Sequence, residues 1–256
     1  MNAIAIDTNP PRASLRCYWL EARCEFLRVL RAPSFAVPTL VFAPMFYLLF
    51  GVLLNGGHGS KATSYLLATY GVFGVVAPGL FGFGVAMAMD RERGFLALKR
   101  AMPTPPAAML LAKMAMAMVF AAMISVILAS LALTLGHVTL APLQVAGLFA
   151  VNVLGVLPFC AIGLYIGTVF SAQAAPAVIN ILYLPMAFLA GLWMPLSMLP
   201  ALFAKLAPLW PAYHLAQIAL AVLGLDNGGS VALHALVLLA VSAVFFGLAR
   251  RRLARA

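Results

Sequence analysis

PAAMLLAKMAMAMVFAAMISVILASLALTL, residues 106–135, contains one charge, Lys113, in thirty residues. A helix crossing the hydrocarbon core needs about 20 apolar residues, so this stretch reads as a membrane span and puts the chain in a bilayer. Five further stretches read the same way, at about 35–54, 63–89, 145–170, 176–197 and 231–249. The predicted fold is an all-α integral membrane protein with six transmembrane helices. Composition agrees: of 256 residues, 65% are hydrophobic and 9% charged, with a mean hydropathy of +1.07. Soluble domains have roughly a quarter charged residues. Six spans and short loops use this length, leaving no room for a sizeable soluble domain.

Charge placement sets the orientation. The formal net charge is +10, but the basic residues sit beside apolar segments and form no face interleaved with stacking aromatics, so nucleic acid is not an expected partner. With the N-terminus inside, the inner side collects Arg12, Arg16, Arg23, Arg28 and Arg31, then Arg91, Arg93, Lys99 and Arg100, and finally Arg250, Arg251, Arg252 and Arg255. The outer side has only Lys61 and Lys205. Both ends are therefore expected in the cytoplasm. Lys113 is expected to snorkel to the cytoplasmic end of the third span.

Residues 1–33 read as a cytoplasmic leader, too long and too charged to be a cleavable signal. Within it, 14–31 has helical periodicity: Leu15, Tyr18, Trp19, Ala22, Phe26, Val29 and Leu30 form an apolar stripe. Arg16, Arg23, Arg28, Arg31, Glu21 and Glu25 take the other side. That pattern predicts an interfacial amphipathic helix anchored by Tyr18, Trp19 and Phe26; the plainer alternative is a solvated leader that orients the first span. Residues 34–250 form the transmembrane domain and 251–256 a cytoplasmic tail. Cys17, Cys24 and Cys160 lack metal-ligand spacing and read as small apolar side chains.

The spans carry almost no ionisable groups. Their interior polar groups are neutral: Asn152, Asn180, His214, Gln217 and His234. No carboxylate pair, nucleophile elbow or zinc motif is present, and 56–63, GGHGSKAT, lacks phosphate-loop spacing. No metal is expected. His214 and His234 read as hydrogen-bonded packing residues. A lipid-modifying membrane enzyme and a non-transporting scaffold remain the rival classes; the first lacks a catalytic constellation, and residue chemistry alone leaves the second open.

Two segments differ from generic spans. In 90–105, Asp90-Arg91-Glu92-Arg93-Gly94 leads into Phe95-Leu96-Ala97-Leu98-Lys99-Arg100, and Pro103 and Pro105 precede the third span. This reads as a short charged helix on the inner face, either docking a partner or only anchoring topology. In 191–214, Pro195, Pro200, Pro208 and Pro211 break any long helix while Leu199, Leu202, Phe203, Leu206 and Leu209 keep the segment apolar. A re-entrant hairpin at 196–212 fits better than an ordinary loop.

The pair of segments, Asp90-Arg91-Glu92-Arg93-Gly94 and Gly191-Leu192-Trp193-Met194-Pro195-Leu196-Ser197-Met198-Leu199-Pro200, on six spans, resembles the type-2 permease family of ABC (ATP-binding cassette) exporters over about residues 14–250. The resemblance implies that Arg91, Glu92, Arg93, Gly94 and Leu96 form a coupling helix received by a cytoplasmic ABC ATPase. It implies that Gly191, Trp193, Pro195, Leu199, Pro200 and Pro208 belong to external re-entrant helices near the exit of the path. Ala97, where a charge is frequent, and Met102, where Thr often precedes proline, depart from the pattern. The implied mechanism is alternating access in a dimer of this chain, or of it with a homologous permease, in a bacterial inner membrane. This chain would bind no cofactor; ATP and Mg would sit on the partner ATPase. The uncharged path favours an amphipathic or lipid-like substrate.

Overall fold

The computed structural model describes residues 15–54, 60–95, 98 and 106–255, and every described element is helical. Among the described residues, nine helices carry the architecture: α1 Leu15–Leu30, α2 Pro33–Leu53, α3 Lys61–Glu92, α4 Pro106–Thr134, α5 Pro142–Val169, α6 Ala175–Leu189, α7 Ala201–Leu206, α8 Pro211–Val222 and α9 Val231–Arg255. Arg12, the turn at 55–58, Leu96, Ala97, Lys99, Arg100, Met102, Pro103 and Pro105 lie outside the described residues.

Five helices, α2, α3, α4, α5 and α9, are long and apolar enough to cross a membrane. The fifth expected span, at 176–197, is shorter than its sequence pattern. Instead of running from 176 to 197, α6 has 15 residues, about 22 Å at 1.5 Å per residue. Gly191 stops it, as described below.

Proline starts and bends these helices. Pro33, Pro142 and Pro211 occupy first-turn positions, where a missing N–H costs nothing. Pro78 falls mid-span in α3, where its ring clashes with the carbonyl four residues back; the chain widens to a π-helical stretch over Pro78–Phe83 and continues as one span. The distortion imposed by this mid-span proline is therefore a π-bulge. Between Gly155 and Leu157, α5 has a similar break before Pro158.

The hydrophobic stretch of α3 is 72% buried and that of α9 only 11%, so α3 is the central pillar and α9 a peripheral one. Small residues let α3 and α5 touch: a Cβ on Gly163 would lie 2.7 Å from the Gly79 carbonyl oxygen. Close backbone approach of this kind is how membrane helices gain van der Waals contact where lipid is as apolar as leucine. Aromatic packing joins α6 to the pillar. Tyr183 stacks on Phe73 with ring centroids 5.2 Å apart and donates its hydroxyl to the Phe73 carbonyl at 3.1 Å.

Candidate functional site

The end of α3 brings together residues that are far apart in the sequence. Lys113, seven residues into α4, has zero exposure and does not snorkel. Its Nζ donates to Glu25 Oε1 at 2.7 Å and lies 2.8 Å from Asp90 Oδ2. Arg28 closes the ring, with Nη2 on Glu25 Oε1 at 2.7 Å and Nη1 on Asp90 Oδ1 at 2.9 Å. Each cation touches both anions, so the quartet is neutral and every charge is paired, as burial demands. Burial alone would lower the Arg28 pKa; the two carboxylates outweigh it and hold the guanidinium above its ordinary value.

This corrects one expectation: Glu25 belongs to the buried face of α1, not to its Arg-rich side. The register of α1 explains it: Val29, one turn on from Glu25, is also buried and packs with Ala36, Met116 and Phe120. Phe26 meets Phe120 with ring centroids 6.0 Å apart. Tyr18 is half-buried, while Trp19 is 69% exposed and points away from the bundle.

Past Asp90, the next two residues turn to other partners. Arg91 donates through Nη1 to the Thr168 carbonyl and through Nη2 to the Phe170 carbonyl at 2.8 Å. These carbonyls are at the C-terminal end of α5, where helix ends leave acceptors unpaired and a cation meets the negative pole of the dipole. Glu92 Oε1 accepts the Ala172 N–H at 2.9 Å. The α5–α6 junction is thus clamped by two consecutive residues from α3. Arg93 then caps α3 and is exposed, and Gly94 adopts φ +72 with open space around it. Phe95 and Leu98 are exposed beyond it.

At the opposite end of the bundle, Gly191 is the pivot. With φ +74 it forms a paired cap: its N–H donates to Phe188 O at 3.1 Å, and the Leu192 N–H reaches Ala187 O at 3.0 Å. Tyr65 and Tyr70 of α3 donate their hydroxyls to the carbonyls of Gly191 and Trp193, at 3.2 and 3.3 Å. The Trp193 ring packs against Phe46, Phe73 and Phe188. Pro195 and Pro200 precede a 3₁₀ turn at Leu196–Met198 and α7 respectively, with Leu199 half-buried between them.

Pro208 supplies a carbonyl 2.9 Å from His214 Nε2, and His214 Nδ1 sits 2.8 Å from His234 Nδ1. With His214 donating from Nε2 to Pro208, its Nδ1 accepts the His234 Nδ1–H. The imidazole pair ties α8 to α9. Sequence reading misses α8. The stretch after Pro211 looks like the end of the hairpin, yet it continues as a 12-residue helix buried through Ala212, His214, Leu215, Ala216, Gln217, Ala219 and Leu220.

One signal in the sequence points to the quartet. A lone lysine in an apolar span requires an acidic partner, and the chain has only six acids from which to draw it.

The chain is 27% identical over 194 residues to a Bacillus subtilis (strain 168) protein named "Putative transport permease YvfS", covering 74% of this chain and 78% of that one. Residues 17–224, which include α1, the charged quartet, the α3 end and the Gly191 cap, match the ABC-2 type transporter family. This multi-pass membrane chain, of a kind that in bacteria resides in the inner membrane, therefore belongs to the ABC-2 type transporter family.

Proposed function

We propose that this chain is the permease subunit of an ATP-driven exporter, working as a dimer with both ends in the cytoplasm, and that a separate cytoplasmic ATPase binds ATP and Mg. The observation that carries the reading is the arrangement around 90–98. Asp90 grips α1 and α4, while Arg91 and Glu92 grip the α5–α6 junction. Arg93, Gly94, Phe95 and Leu98 project from the same end with exposed surface. A push on the projecting residues reaches four helices, α1 and α4 through paired charges and the α5–α6 junction through charged hydrogen bonds to backbone, which is what a coupling element must do. Leu96, expected to share this role, lies outside the described residues. The pieces after Gly191 would then form the external re-entrant segment at the exit of the path.

Two features support the finer parts of the proposal. Asn180 lies on the exposed face of α6 with Ile181 and Leu184 and has no hydrogen-bond partner among the described residues. An amide at membrane depth needs one, and a second copy across a two-fold axis supplies it. A cavity of about 900 Å³ between α4, α5, α8 and α9 is walled by residues such as Leu111, Leu154, Ile218 and Leu239. Such walls favour an amphipathic or lipid-like substrate.

The test is co-purification with the cognate ATPase and measurement of its stimulation. Arg93→Glu with Phe95→Ala, both at exposed positions beyond the end of α3, should cut stimulation at least about tenfold, as loss of an interface anchor does, with thermal stability unchanged. Full stimulation in the double variant would overturn the coupling assignment.

A further inference from the structure

A second cavity, of about 630 Å³, lies between α3, α4 and α5, away from the charged quartet. Its floor is Leu67, Leu128 and Leu148, all buried; its rim is Val126, Leu133 and Phe149, all substantially exposed. It is therefore a groove opening sideways from the bundle, at membrane depth. Its size falls within the roughly 300–1,000 Å³ of ordinary small-molecule sites.

Asn152 distinguishes this groove from a mere gap between helices. It lines the groove, is 5% exposed, and its Oδ1 has no hydrogen-bond partner among the described residues. Ten residues into α5, it stands about 15 Å from the Pro142 end at 1.5 Å per residue, where bulk water does not reach. Gly71 on α3 makes room for it, since a Cβ there would lie 2.8 Å from Asn152 Nδ2. Beside it, Ser125 donates its hydroxyl to the Ala121 carbonyl at 2.8 Å, which leaves the Oγ lone pairs free to accept. A buried polar group without a partner is rare in a native structure and calls for an explanation.

We infer that the α3–α4–α5 groove binds a membrane-dissolved apolar compound whose hydroxyl or amide pairs with Asn152, with Ser125 as a second acceptor. The apolar walls hold the body of the ligand. The amide, offering both a donor and an acceptor, selects a group that does the same and discriminates against plain hydrocarbon. Binding in this groove needs neither a transport direction nor an ATPase, so it stands or falls separately from the proposed function.

The experiment uses the purified full-length chain in detergent and two photoactivatable probes: a long-chain alcohol carrying a diazirine, and the matched diazirine alkane without the hydroxyl. The alcohol should label peptides around 125–133 and 145–152 about five- to tenfold more than the alkane, the equivalent of one buried hydrogen bond. Asn152→Leu should reduce alcohol labelling to the alkane level and leave the alkane unchanged. Ala129→Phe fills the groove without touching Asn152 and should abolish labelling by both, so a poorly folding Asn152 variant does not rescue the idea. Equal labelling by both probes in the wild-type protein would mean that lipid chains fill the groove, and would overturn the proposal. Efficient disulfide cross-linking of Val126→Cys between two chains would overturn it as well, because a second copy would then cover the groove.

Discussion

Lys113 shows how much a single residue can decide. Its ammonium is fully buried and held by Glu25 and Asp90. Lys113→Met would leave two buried carboxylates sharing one guanidinium, and removing one partner of a buried ionic cluster costs about 3–5 kcal/mol. Arg28 makes equivalent contacts, but its side chain is 44% exposed, so water can replace it beside the carboxylates and Arg28→Ala should cost less than Lys113→Met. Thermal unfolding of the detergent-solubilised variants measures both. Lys113→Met with Glu25→Gln should recover part of the loss, because the quartet would again be near neutral. Equal destabilisation by the Lys113 and Arg28 substitutions would mean that the exposure of Arg28 does not let water replace it. Little of this is legible in the sequence. Glu25 and Lys113 lie 88 residues apart, and helical periodicity assigns a glutamate to the polar face by default. Only the cost of a lone intramembrane lysine points toward a partner, without naming it.

At the scale of elements, the spans are legible because length and hydropathy suffice for a helix in lipid, where every backbone group must be paired internally. Their ends and irregularities are not, since these depend on local chemistry that hydropathy averages away. Pro78 announces a distortion, but continuing as a π-stretch depends on packing against α5. The Gly191 cap is hidden inside an apolar run, so hydropathy carries α6 on to residue 197. Two glycines with left-handed backbone separate strain from crowding. At Gly94, with φ +72, an added Cβ would have nothing within 4 Å, whereas at Gly191 it would meet Leu196 Cγ at 2.7 Å. Gly94→Ala should therefore cost only the left-handed penalty of roughly 1–2 kcal/mol. Gly191→Ala should cost more and should also displace Leu196 at the start of the 3₁₀ turn. Thermal melts compared side by side check the order. A Gly191 variant as stable as the Gly94 variant would show that the α6 cap does not fix the segment beyond it.

For the molecule as a whole, orientation is the property on which the functional reading most depends. Basic residues cluster at the end that carries the quartet and the Gly94 turn; the Gly191 segment, at the other end, has Lys205 alone. Translocating many Arg and Lys flanking the spans is unfavourable, so the first end should remain cytoplasmic. Two exposed positions report the two ends: Arg93, and Met198, which is 75% exposed. Cys17 and Cys24 are not fully buried and would react too, so the experiment starts from a chain with Cys17, Cys24 and Cys160 replaced by alanine. A membrane-impermeant maleimide should then label Met198→Cys in intact cells and Arg93→Cys only in inverted vesicles. The two positions sit at opposite ends of an apolar bundle, so labelling of both from one side would contradict the topology itself. The reverse pattern would preserve the fold but place the Gly94 turn outside, out of reach of any cytoplasmic ATPase, and the coupling proposal would fail with it.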